Sequence, residues 1–361
     1  MISRPTRYSM ATNDTVKPIK SVLVTRFSAL GDVAMTIPII YPVCVANPHV
    51  NFVFATRKMP ASMFVNRPGN LTVLGIDLDK YTGITGPWKL ARNLHHRYNF
   101  DAFADLHDVL RTWLMKLALK RHVTRIATID KGRSKKKLLT SGKSRTPVMS
   151  THERYKNVFK NLGLKTGEEF NTILDYGDPI KSPMVPAKPD DARWIAVAPF
   201  SQHKGKVYPW EQMQLVIGEL SKNENYQIFL FGGGKEERDA FDPIIGRYNN
   251  VASVPHIKHT FIDELALMSR CDVMLTMDSA NMHLASLVNL PVVSVWGATH
   301  PACGFMGWHQ AMRDTVQLDL DCRPCSVFGN KKCRFGDYHC MSDIDPEMII
   351  NKVKKVLQRY D

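Results

Sequence analysis

Asp278, Ser279, Asn281 and His283 stand together where an apolar run, residues 273–276, gives way to a helical pattern. That pattern breaks at Asn289-Leu290-Pro291, and a second apolar run, residues 292–296, ends at Gly297 and Thr299. The stretch therefore spells strand, helix, strand, with its polar groups at the end of the first strand. In open α/β sheets ligands bind at that edge. A helix start there adds unpaired N–H donors and a partial positive charge, which suit a phosphate or diphosphate. One turn later His283 can face the same place. The competing reading is an ordinary crossover in which Asp278 or Ser279 only caps the helix.

A second constellation lies near the N-terminus. Ser21–Thr25 has the pattern of a buried strand, residues 27–30 form a short loop, and Gly31-Asp32 opens a helical pattern through Ala34, Met35 and Ile37. Gly31 allows another group to approach the backbone closely or supplies an unusual φ. Asp32 is either a helix cap, stabilised as an anion at a helix start, or a carboxylate facing a site. Pro38 is too far in to be the first residue of that helix, so a kink or a late helix start is expected. The G-x-G-x-x-G fingerprint of dinucleotide enzymes is absent, which argues against an oxidoreductase.

Two further segments complete a series: Lys206-Val207-Tyr208-Pro209-Trp210, and Phe231-Gly-Gly-Gly-Lys-Glu-Glu237-Arg238. Taken in order, the segment from Arg26 to Pro38, the Lys-x-aromatic-Pro segment, the Gly-rich strand end with Glu-Arg, and Asp278-Ser279-Ala280-Asn281-Met282-His283 resemble glycosyltransferase family 9, the lipopolysaccharide heptosyltransferases. The resemblance spans roughly residues 20–350, and four motifs in register are far more specific than any one alone. Ala280 departs from the family's usual glycine, so the backbone there must avoid positive φ.

The resemblance implies metal-independent transfer of a heptose or related sugar from a nucleotide-diphosphate donor, ADP-heptose, to a lipopolysaccharide core acceptor. It implies Asp32 as the general base, whose pKa burial beneath the substrates must raise for efficient catalysis. Lys206, the backbone N–H groups of Ser279, Ala280, Asn281 and Met282, and Thr299 would stabilise the leaving diphosphate. Asp278 and His283 would orient those donors or contact the donor sugar nucleotide, and Glu237, with Glu236 as the alternative, matches the position that binds the ribose. Taken alone, Lys206 is a surface lysine near a Tyr-Pro turn. Arg57 and Lys58, after the second strand, and His107 and Arg111, after the third, would line the acceptor side, where anionic groups bind.

The elements that must position these residues form two similar halves. Residues 1–19 are a polar N-terminal extension, expected to be disordered and without the apolar core of a secretory signal. Residues 20–176 alternate strands (21–25, 51–56, 100–106) with helical patterns (33–46, 111–119, 152–162). Residues 177–192 are a proline-rich linker; the stretch 176–192 holds four prolines. Residues 193–345 carry further strands at 194–198, 227–231, 272–277 and 292–296. Residues 346–361 are a last helix, expected to pack back towards the N-terminal domain. Two doubly wound, Rossmann-like α/β domains facing across a cleft make the GT-B architecture, which the resemblance also implies.

Composition agrees with a large globular enzyme of 361 residues, 44% hydrophobic and 23% charged. No apolar run reaches the roughly 18–20 residues that cross a bilayer. The protein is therefore expected in the cytoplasm, peripheral on the cytoplasmic face of the inner membrane. The formal charge of +14 is concentrated in residues 131–145, with seven basic residues and no acidic one. Such a run is either a solvated, mobile loop or a surface for anionic lipid. No nucleic-acid motif or ladder of aromatics accompanies it, so nucleic acid is not an expected partner. For a chain of this family, the anionic glycolipid acceptor at the inner leaflet is the natural one, captured through Lys135, Lys136 and Lys137.

Four of the seven cysteines, Cys322, Cys325, Cys333 and Cys340, cluster near the end. In a cytoplasmic protein they argue against disulfides. They form either a structural zinc site or a cysteine-rich loop with free thiols. No Asp-x-Asp pair precedes a candidate site, so no catalytic metal and no required cofactor are expected. Two alternatives remain at this level: a transferase of the same architecture with another nucleotide sugar and another surface glycan, and a non-catalytic basic binding protein on this fold.

Overall fold

The computed structural model describes residues 17–360; most of the expected N-terminal extension, residues 1–16, lies outside them. The N-terminal sheet is parallel and built from β1 (Ser21–Thr25), β2 (Asn51–Arg57), β3 (Leu71–Ile76), β4 (Ala102–Asp105) and β5 (Arg125–Thr128), in the order β3-β2-β1-β4-β5. Thr25 lies in register with Ala55 and Asp105, so these strands end at one carboxyl edge. Central strands of such a sheet are covered on both faces, and β1 is accordingly buried throughout.

The helices of this half are α1 (Leu30–Ala34), α2 (Ile37–Ala46), α3 (Lys58–Ala61), α4 (Thr85–Tyr98), α5 (Leu110–Leu119), α6 (Arg133–Thr140) and α7 (Thr151–Asn161). The helical pattern after Gly31 divides into α1 and α2, and Pro38 falls in the first turn of α2, where a missing N–H costs nothing. α1 begins at Leu30, so Asp32 sits inside its first turn rather than opening it. No helix or strand covers residues 177–192, yet the segment is anchored: Ser182 Oγ donates to Asp263 Oδ1 at 2.6 Å and Lys188 pairs with Asp272 at 2.6 Å.

The C-terminal sheet is also parallel: β6 (Arg193–Ala198), β7 (Tyr226–Leu230), β8 (Val251–Ser253), β9 (Val273–Met277), β10 (Val292–Val295) and β11 (Thr315–Val316), ordered β11-β10-β9-β6-β7-β8. Its helices are α8 (Trp210–Leu220), α9 (Gly234–Ile245), α10 (Phe261–Met268), α11 (Ala280–Leu287), α12 (His339–Ser342) and α13 (Pro346–Leu357). Strand order reverses beside β1 in one sheet and between β6 and β9 in the other. At such reversals the loops splay apart and leave a crevice.

Two expectations are corrected. α13 does not reach back to the N-terminal domain: its buried face, Ile349, Ile350, Val353, Val356 and Leu357, joins the core formed by α8 and the C-terminal strands. Asp345 and Pro346 fix its start, since the Asp345 side chain accepts from the Glu347 N–H. The basic run is not simply a solvated loop either. Residues 133–140 form α6, and Lys136 is only 8% exposed, its Nζ 4.0 Å from the centre of the Phe305 ring. Burial lowers its pKa to about 8. Lys135 and Lys137 stay in water.

The halves are joined by more than the linker. The Thr151 and Val148 N–H groups donate to the carbonyls of Gly304 and Ala302, and Trp308 Nε1 donates to Phe170 O at 2.7 Å. α1 packs directly on α11. Among the described residues no helix is long and apolar enough to cross a membrane.

Candidate active site

Both strand-order reversals open onto one cavity of about 800 Å³. Ala29, Leu30, Gly31 and Asp32 line it from the N-terminal domain; Lys206, Gly233, Glu237, Asp278 and His283 are among those facing it from the C-terminal one. The two domains come close together at Gly31. A Cβ there would lie 2.9 Å from His283 Cδ2 and 3.3 Å from Ala280 Cα, so only glycine lets α1 meet the start of α11 this closely.

Asp32 Oδ2 accepts from the Ala29 N–H at 3.2 Å and pairs with Arg26 Nη2 at 2.6 Å. Arg26 is buried, and its other terminal nitrogen donates to Leu106 O at 2.9 Å. The carboxylate is thus held in one orientation, with Oδ1 accepting no hydrogen bond among the described residues. The Tyr155 hydroxyl fixes the backbone beneath, donating to Asp32 O.

Across the cavity, Asp278 is 4% exposed at the end of β9. Its Oδ2 accepts from Thr299 Oγ1 at 2.8 Å and pairs with Lys206 Nζ at 2.8 Å. Asp278 therefore aims the lysine and does not cap the helix. Nor does Ser279: its hydroxyl lies 3.0 Å from Thr276 Oγ1, and α11 has no side-chain cap. The first N–H groups of α11, at Ala280, Asn281 and Met282, keep no capping partner beside an ammonium group, which makes an anion-binding corner. Ala280 opens a helix and is not among the residues of positive φ, so the missing glycine is accommodated.

His283 is buried on α11, and its Nδ1 has no hydrogen-bond partner among the described residues. Burial drives its pKa down to about 4, so the ring is neutral near pH 7. Glu237 Oε2 accepts from the Gly233 N–H at 2.7 Å, and burial raises its pKa. That bond runs close over Gly232, where a Cβ would lie 2.6 Å from Oε2.

Several expected site residues are placed differently. Thr299, 1% exposed, is behind Asp278 and does not line the cavity; its hydroxyl serves the carboxylate instead of a phosphate. The Met282 side chain is in the core, which leaves only its backbone available. His107 is buried: the Phe27 N–H donates to its Nδ1 at 3.4 Å, and Ser28 Oγ is 3.3 Å from Nε2. Burial, with Arg26 and Lys131 nearby, lowers its pKa to about 3, so this neutral ring braces the loop before Asp32. Arg111 donates to Tyr81 O at 2.7 Å, and Lys58 pairs with Asp77 at 3.3 Å. Arg57, Lys58 and Arg111 stand at the same sheet edge as Asp32 but outside the cavity wall.

All four clustered cysteines are free thiols, and among the described residues no group of three or more His, Cys, Asp or Glu side chains is arranged to hold a metal ion. Their segment braces the site from behind. Arg323 donates to the carbonyls of Trp296, Gly297 and Thr299, and Gly329 sits so close that a Cβ would touch the Lys206 stem at 2.6 Å. Sequence reasoning gave no role to Arg26, to Phe200, Ser201 and His203 after β6, to the His259–Glu264 pair at 2.9 Å, or to Phe305 and Phe328, although all but Arg26 line the cavity. Arg26 was signalled by its place one residue past β1.

The model of glycosyltransferase family 9 (heptosyltransferase) matches residues 87–339. A lipooligosaccharide heptosyltransferase 2 of Campylobacter jejuni is 28% identical over 155 residues, which is 42% of this chain and 48%, about half, of that relative. A family 9 glycosyl transferase from Veillonella parvula superposes with a TM-score of 0.69 at 18% identity, over 94% of this chain and 98% of that one. The E. coli heptosyltransferase WaaC with ADP gives 0.64 at 16% identity, over 94% and 100%. At these identities the structural likeness establishes the two-domain GT-B fold.

Proposed function

The chain belongs to glycosyltransferase family 9, and from that premise we propose that it moves a heptose from ADP-heptose to a lipopolysaccharide core acceptor, with Asp32 as general base and no catalytic metal. The observation that carries this reading is the arrangement across the cavity: an oriented carboxylate on one side, and on the other a lysine held beside an uncapped helix start. Asp32 takes the proton of the acceptor hydroxyl as its oxygen bonds to the sugar's anomeric carbon. The bond from that carbon to the diphosphate oxygen breaks, and ADP leaves with the extra negative charge. Lys206 and the first N–H groups of α11 sit where that charge develops, and a preorganised corner of this kind needs no rearrangement to stabilise it.

Neutral His283 offers an unpartnered nitrogen to a donor hydroxyl or phosphate, and Glu237, in the first turn of α9 after β7, would accept from the ribose hydroxyls. Arg57, Lys58 and Arg111 would meet the anionic acceptor at the rim. Such an acceptor is lipid-borne, so the enzyme works as a peripheral protein at the cytoplasmic face of the inner membrane. A zinc ion in the Cys322–Cys340 segment would be structural, stiffening the brace behind Lys206. The test is a binding panel of ADP, UDP, GDP and CMP sugars followed by turnover with deacylated lipopolysaccharide core. Selective binding of ADP-heptose and transfer to that core support the reading; binding of another nucleotide sugar alone would point to a different surface glycan.

A further inference from the structure

α5 has apolar residues on both sides. Its inner face, Thr112, Met115, Ala118 and Leu119, is buried on the sheet. Its outer face carries Leu110, Trp113 and Leu117, which are 72%, 51% and 41% exposed. Spacings of three and four residues put these side chains in one stripe. A helix with apolar residues on opposite sides is normally enclosed on both; among the described residues the outer stripe of this one is left exposed. Its neighbour α4 begins at the same edge of the sheet, where Ile84 is 75% exposed and Trp88 is exposed beside it. Arg111 Nη1, donating to Tyr81 O, ties the starts of the two helices together.

The two helices themselves carry charges of one sign; the turns before them hold Asp79, close to Arg111, and Asp108, paired with Arg133. Neither residues 85–98 nor residues 110–121 contain an acidic side chain, while Lys89, Arg92, Lys120 and Arg121 are exposed there. We infer that the outer face of α4 and α5 docks on an anionic lipid leaflet, with Leu110, Trp113 and Leu117 in the headgroup region and the four cations on lipid phosphates. The inference rests on the proposed lipid-borne acceptor and supplies the surface that meets it. Tryptophan and leucine on one helix face, flanked by Lys and Arg, is the composition of interfacial helices. A second copy of the chain does not fit the face, because a two-fold contact would set like charges against one another. The position also suits the chemistry. α4 and α5 start at the carboxyl edge of the sheet that carries Asp32, so docking here brings the mouth of the cleft to the bilayer.

The surface differs from the basic run expected to fill this role, whose Lys136 is turned inward. The experiment is co-sedimentation of the full chain with vesicles of phosphatidylcholine and phosphatidylglycerol in a two-to-one ratio, and with phosphatidylcholine alone. Wild type should bind the mixed vesicles and only weakly the neutral ones. A Leu110→Gln, Trp113→Gln, Leu117→Gln variant should lose about tenfold or more in vesicle affinity, with unchanged melting temperature and unchanged turnover of a soluble, deacylated acceptor. Lys120→Gln with Arg121→Gln, which touches no apolar packing, should weaken binding at low salt and converge on wild type at high salt. A triple variant that sediments as wild type does would overturn the inference. So would a wild-type chain that ignores both vesicles and forms a dimer which the triple variant dissolves. Wild-type binding to mixed vesicles without transfer to the soluble acceptor would uphold the docking surface while refuting the proposed reaction.

Discussion

Gly31→Ala isolates the close approach on which the site depends. Gly31 lies outside the left-handed φ region, so alanine suits its backbone and only the new methyl group matters. That methyl would lie 2.9 Å from His283 Cδ2 and 3.3 Å from Ala280 Cα. Carbon atoms rest at about 3.5–4.0 Å, so α1 and α11 must separate by roughly 0.5–1 Å. Overpacking of this kind costs about 1–3 kcal/mol. Exchange of glycine for alanine within a helix returns about 1 kcal/mol, so the melting temperature should fall by only a few degrees. Activity should suffer more, because Asp32 is the next residue and moves with the backbone. A displacement of this size at the reacting centre costs about 10- to 100-fold in kcat/KM. The assay is kcat/KM for transfer to a deacylated acceptor, read beside ADP affinity and thermal melting. Gly69→Ala, whose Cβ would meet nothing within 4 Å, serves as control. A Gly31→Ala enzyme within twofold of wild type would refute the argument that this contact sets catalytic geometry.

Lys206→Ala should weaken ADP binding by about 10- to 100-fold, consistent with a few kcal/mol for a lysine on a desolvated diphosphate, and should leave adenosine binding nearly unchanged; equal ADP affinity by calorimetry would remove Lys206 from the phosphate corner. Stability should fall on acidification below pH 6.5. Burial lowers the pKa of His107 and of His152 to about 3 and that of His283 to about 4, so between pH 6.5 and 4 the unfolded chain binds protons that the folded one does not. Each such imidazole contributes about 1.4 kcal/mol per pH unit, present at neutral pH and lost as pH drops; a denaturation midpoint that stays flat from pH 6.5 to 5 would contradict it. Brief EDTA treatment should leave transfer unchanged, because the proposed chemistry uses no divalent ion; immediate loss reversed by magnesium or manganese would contradict that.

Legibility in the sequence followed burial. The strands expected from apolar runs are the central ones, β1, β2, β4, β6, β7, β9 and β10; among the described residues, the four strands that went unread, β3, β5, β8 and β11, are the sheet edges. A central parallel strand is covered on both faces and spells a continuous apolar word, whereas β3 and β5 are half exposed and carry no such signal. Asp32 and Asp278 could be found because strand ends at a reversal of sheet order are where polar groups gather; Lys206, eight residues past β6, could be found only through the family's Lys-x-aromatic-Pro motif. What each of them touches could not be found. The Asp278–Lys206–Thr299 arrangement joins three loops far apart in the chain, and the inward turn of Lys136 depends on Phe305 in the other domain. The exposed stripe of α5 was hidden for a related reason: Leu110, Trp113 and Leu117 look like core residues until the sheet is seen to take the opposite face.

The central claim is that the Asp32 carboxylate removes the acceptor proton. Its most direct test is single-turnover transfer from ADP-heptose to deacylated core acceptor by Asp32→Asn, with ADP affinity and melting temperature measured on the same preparation, since Arg26 is left buried beside a neutral amide. The account predicts that transfer falls by about 10²- to 10⁴-fold, the usual worth of a general base, while ADP affinity changes by less than about threefold because the phosphate corner belongs to the other domain. Turnover within tenfold of wild type would contradict it.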